Sequence, residues 1–241
     1  YQPIYSTEKK AFLSSEALIR MKDKETIGFV SPEEFIPLAE KNGYIIRIGE
    51  IVFEKVCAAI RKIRDMGLRV DYIEVNLSAL QSIDETVPKS FADIMKKYGI
   101  SPESINLEIT ETAASYDQSV MTENLTQLSN AGLTFSLDDY GTGYSNMYRI
   151  AALPLKIVKL DKTFVNNQNN KMWTILQNTV NMIKDLNMEI VVEGIETKEM
   201  VQKFSDLKCD FIQGYFFSKP IPQREFVEFI DRWNNRERIT T

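Results

Sequence analysis

Asp138 and Asp139 stand side by side at the end of an apolar run, followed by two glycines in "SLDDYGTGYSN" (136–146). Neighbouring carboxylates repel, and the repulsion raises their pKa values unless a cation relieves it. The pair therefore reads as a junction between two metals, or between a metal and its water. Other polar residues sit late in short apolar runs: Asn76 in "YIEVNLS" (72–78), Glu108 in "INLEIT" (105–110), Lys159 in "KIVKLD" (156–161), Glu193 in "EIVVEG" (189–194) and Gln213 in "FIQGYFF" (211–217). The chain contains no histidine, so the commonest general base and the commonest transition-metal ligand are missing. Catalysis would fall to carboxylates, lysine, tyrosine or metal-bound water. Oxygen-rich ligation without imidazole suits Mg2+ or Mn2+ better than zinc or copper.

These residues need elements that aim them at one place. Side chains alternate across a strand, so Ile73, Val75 and Leu77 share one face of their run while Glu74, Asn76 and Ser78 share the other. The same parity separates Leu107 and Ile109 from Glu108, Phe135 and Leu137 from Asp138, Val158 and Leu160 from Lys159, Val192 from Glu193, and Ile212 from Gln213. A single polar residue near a strand end is more often a solvated terminus than a ligand. Six on one parity, late in six successive strands, predict a shared site.

Helical patterns fall between the strands. "SPEE" (31–34) supplies a capping Ser, Pro in the first turn and Glu three residues on, ahead of Phe35, Leu38 and Ala39 and a stop at Gly43. Ile48, Ile51, Val52, Val56, Ala59, Ile60 and Ile63 recur at helical spacing before Gly67. Further amphipathic helices are predicted around Val120–Leu128, Ile175–Ile183, Val201–Phe204 behind a Thr197 cap, and from about Pro222 to Trp233. Strand followed by helix, repeated, implies parallel strands with crossover helices. A closed (β/α)8 barrel and an open doubly wound sheet both meet that description. The open sheet usually carries Gly-x-Gly-x-x-Gly between its first strand and helix, whereas "GTGYSN" lies mid-chain and has Asn146 at the third position. Length and the even size of the helices favour the barrel, whose chemistry lies at the carboxyl ends of its strands.

The 241 residues, 44% hydrophobic and 26% charged, can bury a sizeable core. No linker or repeat divides them, so a single domain, 1–241, is expected. Twenty-nine Lys and Arg against 34 Asp and Glu give a net charge of -5, which argues against gripping DNA or RNA through a basic surface. Cys57 and Cys209 lack metal-site spacing and read as buried apolar residues in a reducing compartment. Nothing in the chain has the ~20 apolar residues of a spanning helix, and the expected location is cytoplasmic, without membrane contact of its own.

The motifs resemble those of EAL domains, the phosphodiesterases that linearise the bacterial second messenger cyclic di-GMP. "EAL" (16–18) within "SSEALIR" is joined, in the family's order, by "YQPI" (1–4), "SPEEFIPLAE" (31–40), "VNLS" (75–78), "LEITE" (107–111), "DDYGTGYS" (138–145), "KLDKTFV" (159–165), "VEGIET" (192–197) and "QGYFFSKP" (213–220). The resemblance implies a modified TIM (β/α)8 barrel with an antiparallel first strand, and hydrolysis of cyclic di-GMP to linear pGpG with two divalent cations, Mg2+ or Mn2+. It implies that Glu16, Asn76, Glu108 and Asp138 hold one metal, and that Asp138 and Asp139 hold the second with Glu193 nearby. Lys159 then touches the attacking water and Gln213 supports it. Gln2, Leu18 and Arg20 contact the dinucleotide, Glu196 and Tyr215 line the pocket, and Glu111 steadies the "DDYGTGYS" loop.

Three departures from the family pattern are Tyr140 for Phe, Met21 for Trp, and the absence of a glycine before "EAL"; none removes a ligand. A homodimer through the loop after Asp139 and its following helix is also implied. Opening at "YQPI", on a motif, fits a fragment of a longer chain with sensor or GGDEF cyclase domains, or the cytoplasmic part of a membrane-anchored one. Two other readings compete: a receptor module that binds cyclic di-GMP without cleaving it, and a metal-dependent lyase or isomerase on the same scaffold.

Overall fold

A computed structural model describes residues 1–23, 25–110, 118–141, 152–166 and 169–239. Eight strands close into a barrel in the order β1-β10-β9-β8-β7-β6-β5-β2. They are β1 (Gln2–Ser6), β2 (Ala11–Ala17), β5 (Tyr72–Asn76), β6 (Ile105–Thr110), β7 (Thr134–Tyr140), β8 (Ile157–Leu160), β9 (Glu189–Val192) and β10 (Phe211–Ile212). β1 runs antiparallel to both of its neighbours, and every other pairing in the barrel is parallel. The expected first-strand reversal is therefore present. A small hairpin, β3 (Met21–Asp23) with β4 (Gly28–Val30), lies outside the barrel sheet.

The helices are α1 (Pro32–Lys41), α2 (Tyr44–Asp65), α3 (Ala79–Ser82), α4 (Val87–Tyr98), α5 (Gln118–Asn130), α6 (Lys162–Asn166), α7 (Asn170–Asp185), α8 (Lys198–Asp206) and α9 (Gln223–Ile239). The outward parity read from sequence holds. Ile73, Val75, Leu107, Ile109, Phe135, Leu137, Val158, Leu160, Val192 and Ile212 all join the large cluster between strands and helices, together with both cysteines. A second, smaller cluster of Ile4, Tyr72, Ile157 and Val191 is separate from it. These residues take the opposite, inward parity on their strands and form an apolar floor inside the barrel.

Two local expectations differ from the structure. The Ser31 side chain makes no cap bond; its carbonyl instead accepts from the amides of Glu34 (3.0 Å) and Phe35 (3.1 Å). A full capping box forms at Ser78 and Gln81, at the start of α3. The run 211–217 is strand only over Phe211–Ile212. Beyond it the chain turns, with the amides of Phe216 and Phe217 donating to the carbonyls of Ile195 (3.0 Å) and Gly214 (3.1 Å).

Gly214 allows that turn. A Cβ there would stand 2.0 Å from the carbonyl oxygen of Ile195 and 2.4 Å from its nitrogen. Both are backbone atoms pinned by the Ile195–Gln213 and Phe216–Ile195 hydrogen bonds, so they cannot yield as a flexible side chain would. Gly214→Ala is expected to cost about 3 kcal/mol, or roughly 6–12 °C in Tm, as overpacking against fixed neighbours does. Thermal unfolding followed by circular dichroism checks it.

Candidate active site at the barrel mouth

Strand register brings the polar residues together. Asn76 pairs with Glu108 across β5 and β6, Thr110 with Asp138 across β6 and β7, and Glu16 with Glu74 across β2 and β5. The Asn76 amide donates to Glu16 Oε1 and to Glu108 Oε2, each at 3.1 Å. Gln213 Nε2 donates to Glu16 Oε2 at 2.7 Å and to Gln2 Oε1 at 3.2 Å, while Gln2 Nε2 donates to the Ser218 carbonyl at 3.2 Å.

Lys159 rises into the middle of this ring, fully buried. Its Nζ lies 2.8 Å from Glu193 Oε1, 3.5 Å from Asp138 Oδ1, 3.7 Å from Glu16 Oε2 and 3.8 Å from Glu74 Oε2, and it is ion-paired with Glu108. Burial alone would push the ammonium pKa down, but Asp138, Glu108, Glu16 and Glu193 outweigh it and hold Lys159 well above its usual range. It stays charged.

One ammonium cannot satisfy this many acids. Burial drives Glu108 well above the ordinary carboxylate range and pushes Glu74 and Glu193 up to about 7, with Lys159 opposing in each case. Glu16 goes the other way: burial would raise it, but Lys159 and the donors on Gln213 and Asn76 hold it down.

Strict alternation would place Asp138 and Asp139 on opposite faces. The register of β7 against β8 shifts between Leu137 and Tyr140, and Asp139 takes a left-handed φ of 57°. That is a β-bulge, which re-aims a side chain at the rim of a barrel. The Asp139 carboxyl is raised by burial and then by Asp138 and Asp161, and it also feels Lys159 and Glu16. Both acids of the pair therefore reach the same electrostatic site.

Beside the ring opens a cavity of about 770 Å³ between the mouth and helices α1 and α2. Its inner end carries Glu16, Asn76 and Thr110, and its apolar wall includes Leu18, Ile36, Ile45, Ile48, Val52 and Leu80. Arg20 also lines it, exposed, with Nη1 donating to the Ile19 carbonyl at 2.8 Å. Glu196 and Tyr215 are exposed and do not line this cavity; the Tyr215 ring lies 5.3 Å from Lys219 Nζ. Glu111 lies outside the described residues, as do residues 142–151 of the loop and following segment expected at a dimer contact.

Two acids at the site were not singled out from sequence. Glu74 precedes Asn76 by two residues and Asp161 follows Lys159 by two, so each shares the inward parity of a residue that was singled out. Asp161 is buried, and its Oδ1 accepts from the Thr163 amide (2.8 Å) at the start of α6.

The donors fit a divalent cation. Glu108 Oε1 and Asp138 Oδ1 are buried with only the shared Lys159 ammonium beside them, the available donors are all oxygens, and the charge excess is negative. Hard cations take such sets. Among the described residues, no three acids are already closed around one point; Lys159 stands among them.

The EAL domain family model matches residues 1–220. The oxygen sensor protein DosP of Escherichia coli K12 is 34% identical over 93% of the chain, which spans 28% of DosP. The bifunctional diguanylate cyclase/cyclic di-GMP phosphodiesterase MucR of Pseudomonas aeruginosa is 33% identical over 94% of the chain, and the chain spans 33% of it. The chain thus covers about a third of the length of these relatives. The solved PaMucR phosphodiesterase in complex with c-di-GMP superposes with a TM-score of 0.86 at 33% identity, covering 94% of this chain and 92% of that one. An EAL domain protein from Listeria monocytogenes EGD-e superposes with a TM-score of 0.82 at 29% identity, over 95% and 90% of the two chains. Among the described residues no helix is long and apolar enough to cross a membrane.

Proposed function

Because this chain belongs to the EAL domain family, we propose that it hydrolyses cyclic di-GMP to linear pGpG by in-line attack of water on one phosphodiester. Phosphodiesterases of this family generally depend on divalent metal. The observation that carries the reading is the convergence of Glu16, Asn76, Glu108 and Asp138 around Lys159, at the inner end of a cavity large enough for a dinucleotide. Relatives named as cyclic di-GMP phosphodiesterases, and the c-di-GMP complex of PaMucR, support the substrate.

A phosphodiester resists attack because its own charge repels nucleophiles. When bound, two divalent cations, Mg2+ or Mn2+, supply charge shielding for the phosphate and acidity for water. Glu16, Asn76, Glu108 and Asp138 would hold one, and Asp138 with Asp139, and Glu193 close by, the other. Lys159 places a permanent positive charge where the phosphoryl oxygens gain electron density. Gln213, braced by Glu16 and Gln2, orients a hydrogen bond toward the reacting water. The apolar wall of the cavity takes the flat face of a guanine, and Leu18 and Arg20 meet the dinucleotide at the entrance, Arg20 on its phosphate side. Gln2 contacts the dinucleotide from beside Gln213, Glu196 and Tyr215 meet it from outside the cavity, and Glu111 steadies the following loop. The working unit is a homodimer that acts in the cytoplasm.

The test is incubation of the purified protein with cyclic di-GMP and Mg2+ or Mn2+, with products resolved by chromatography. The expected result is pGpG, abolished by EDTA. Tight binding in EDTA without product at high protein concentration would instead identify a receptor.

A further inference from the structure

Glu74 is the one acid near Lys159 that the proposed chemistry leaves without work. Its side chain is fully buried, and its polar neighbours are the Glu108 carboxyl and the Lys159 ammonium. Along β5 it precedes Asn76 by two residues, which places it one pleat repeat, about 6.6 Å, deeper in the barrel. On that strand Tyr72 follows below, part of the apolar floor with Ile4, Ile157 and Val191. Glu74 Oε2 reaches up to Lys159 Nζ at 3.8 Å. Such a carboxyl weakens the fold, because burial costs its hydration more than Lys159 and the Glu108 carboxyl return.

We infer that Glu74 is a positioning residue, the floor-side anchor that holds Lys159 when the ring above it turns to metal. The deduction rests on the hydrolytic reading above and follows from who else holds the ammonium. Of its five acidic neighbours among the described residues, Glu16, Glu108 and Asp138 are proposed ligands. A bound cation would draw their oxygens away from the ammonium, and Glu193 would be engaged beside a second one. The acceptor that stays with Lys159 is Glu74. Without it the ammonium keeps its hold on Glu108 and its neighbours and competes with the cation for the same oxygens. A metal-free measurement of fold stability and a turnover-free measurement of metal binding therefore move in opposite directions on substitution.

The experiment compares wild type, Glu74→Leu and Glu74→Gln by Mn2+ calorimetry without substrate, with thermal unfolding in EDTA and steady-state kinetics beside it. Both substitutions remove the same charge, but glutamine keeps an acceptor oxygen for Nζ. Glu74→Leu is expected to bind Mn2+ at least 10-fold more weakly, with kcat lowered and KM for cyclic di-GMP within 2-fold. Glu74→Gln is expected to stay within about 3-fold of wild type in Mn2+ affinity. The Tm of Glu74→Leu in EDTA is expected to equal or exceed that of wild type. Equal weakening in Leu and Gln would reduce Glu74 to bulk electrostatics and overturn the proposal, as would unchanged affinity in both. If leucine prevents folding, Glu74→Met, unbranched like glutamate, takes its place with the same expectations. Wild type that binds Mn2+ yet cleaves nothing would sink the hydrolytic reading alone, leaving the Leu and Gln comparison decisive. Wild type that binds no Mn2+ would overturn both.

Discussion

Glu16→Ala is expected to empty the site of metal and to lower turnover at least 10³-fold, the largest effect of any single substitution here. Glu16 joins two halves of the ring: Oε1 takes the Asn76 amide at 3.1 Å and Oε2 takes Gln213 at 2.7 Å. Alanine removes a proposed ligand and takes one of two acceptors from each amide, leaving Asn76 with Glu108 and Gln213 with Gln2, so loss of binding and loss of orientation compound. Losing one electrostatic group aimed at the reacting centre typically costs 10²–10³, and the loss of metal chemistry adds to that. Glu16→Gln should be no gentler, because its amide would meet the Gln213 amide donor to donor. Metal content by plasma mass spectrometry and pGpG formation by chromatography check the two halves separately. A variant that retains stoichiometric metal and near-normal turnover would remove Glu16 from the centre.

Chelated protein is expected to lose about 3 kcal/mol of stability between pH 4.5 and 7, and bound Mn2+ to abolish that slope. Burial pushes Glu74 and Glu193 from 4.5 up to about 7, and pushes Glu108 up as well. A carboxyl whose folded pKa is raised is protonated in the fold where it would already be ionised in the unfolded chain. The folded state then holds more protons across that window, so stability falls as pH rises through it. A rise from 4.5 to about 7 in one group corresponds to about 3 kcal/mol; because these acids share Lys159, their effects do not add. Glu16 has the opposite sign. Its lowered pKa stabilises the fold above 4.5, and that contribution is lost on further acidification. Apo stability should therefore peak near pH 4.5–5. A cation favours the ionised carboxylates and removes the penalty. Urea unfolding over pH 4–8, in EDTA and in Mn2+, measures both curves; a flat EDTA curve would contradict the assignment.

Much of the barrel was legible because its strands alternate cleanly between an outer apolar face and an inner polar one. Ile73, Val75, Leu107, Phe135 and Val158 all pack outward, as their parity requires. Other parts left weaker traces. β2 is buried along its whole length and β1 along all but Tyr5, which hides the alternation, and β1 carries Pro3. β10 has two residues, and the apolar letters after it belong to a turn. The bulge at Asp139 is invisible to a two-residue period, which would send Asp138 and Asp139 opposite ways. Glu16, on a strand without a readable period, came from motif resemblance. Glu74 and Asp161 had the correct parity, but position on a face does not distinguish a ligand from the acid beneath it.

The reversed strand has a mechanical consequence. Its ladder to β10 is short, with Tyr5 opposite Ile212 and Ser6 opposite Phe211, whereas β6 and β7 are joined along five residue pairs. A closed wall yields first where it has fewest rungs; β10 makes two pairs to β1 and two to β9, so the weak stretch of wall is β10 itself, beside the candidate site. Gln213 crosses the β1 side of it, bonded to Gln2 on β1 and, beyond that, to Glu16 on β2. Breathing of the wall at β10 is thereby expected to be felt at Glu16, the glutamate proposed to hold a cation, so one of the least reinforced joints in the cylinder is also a lever on the proposed chemistry.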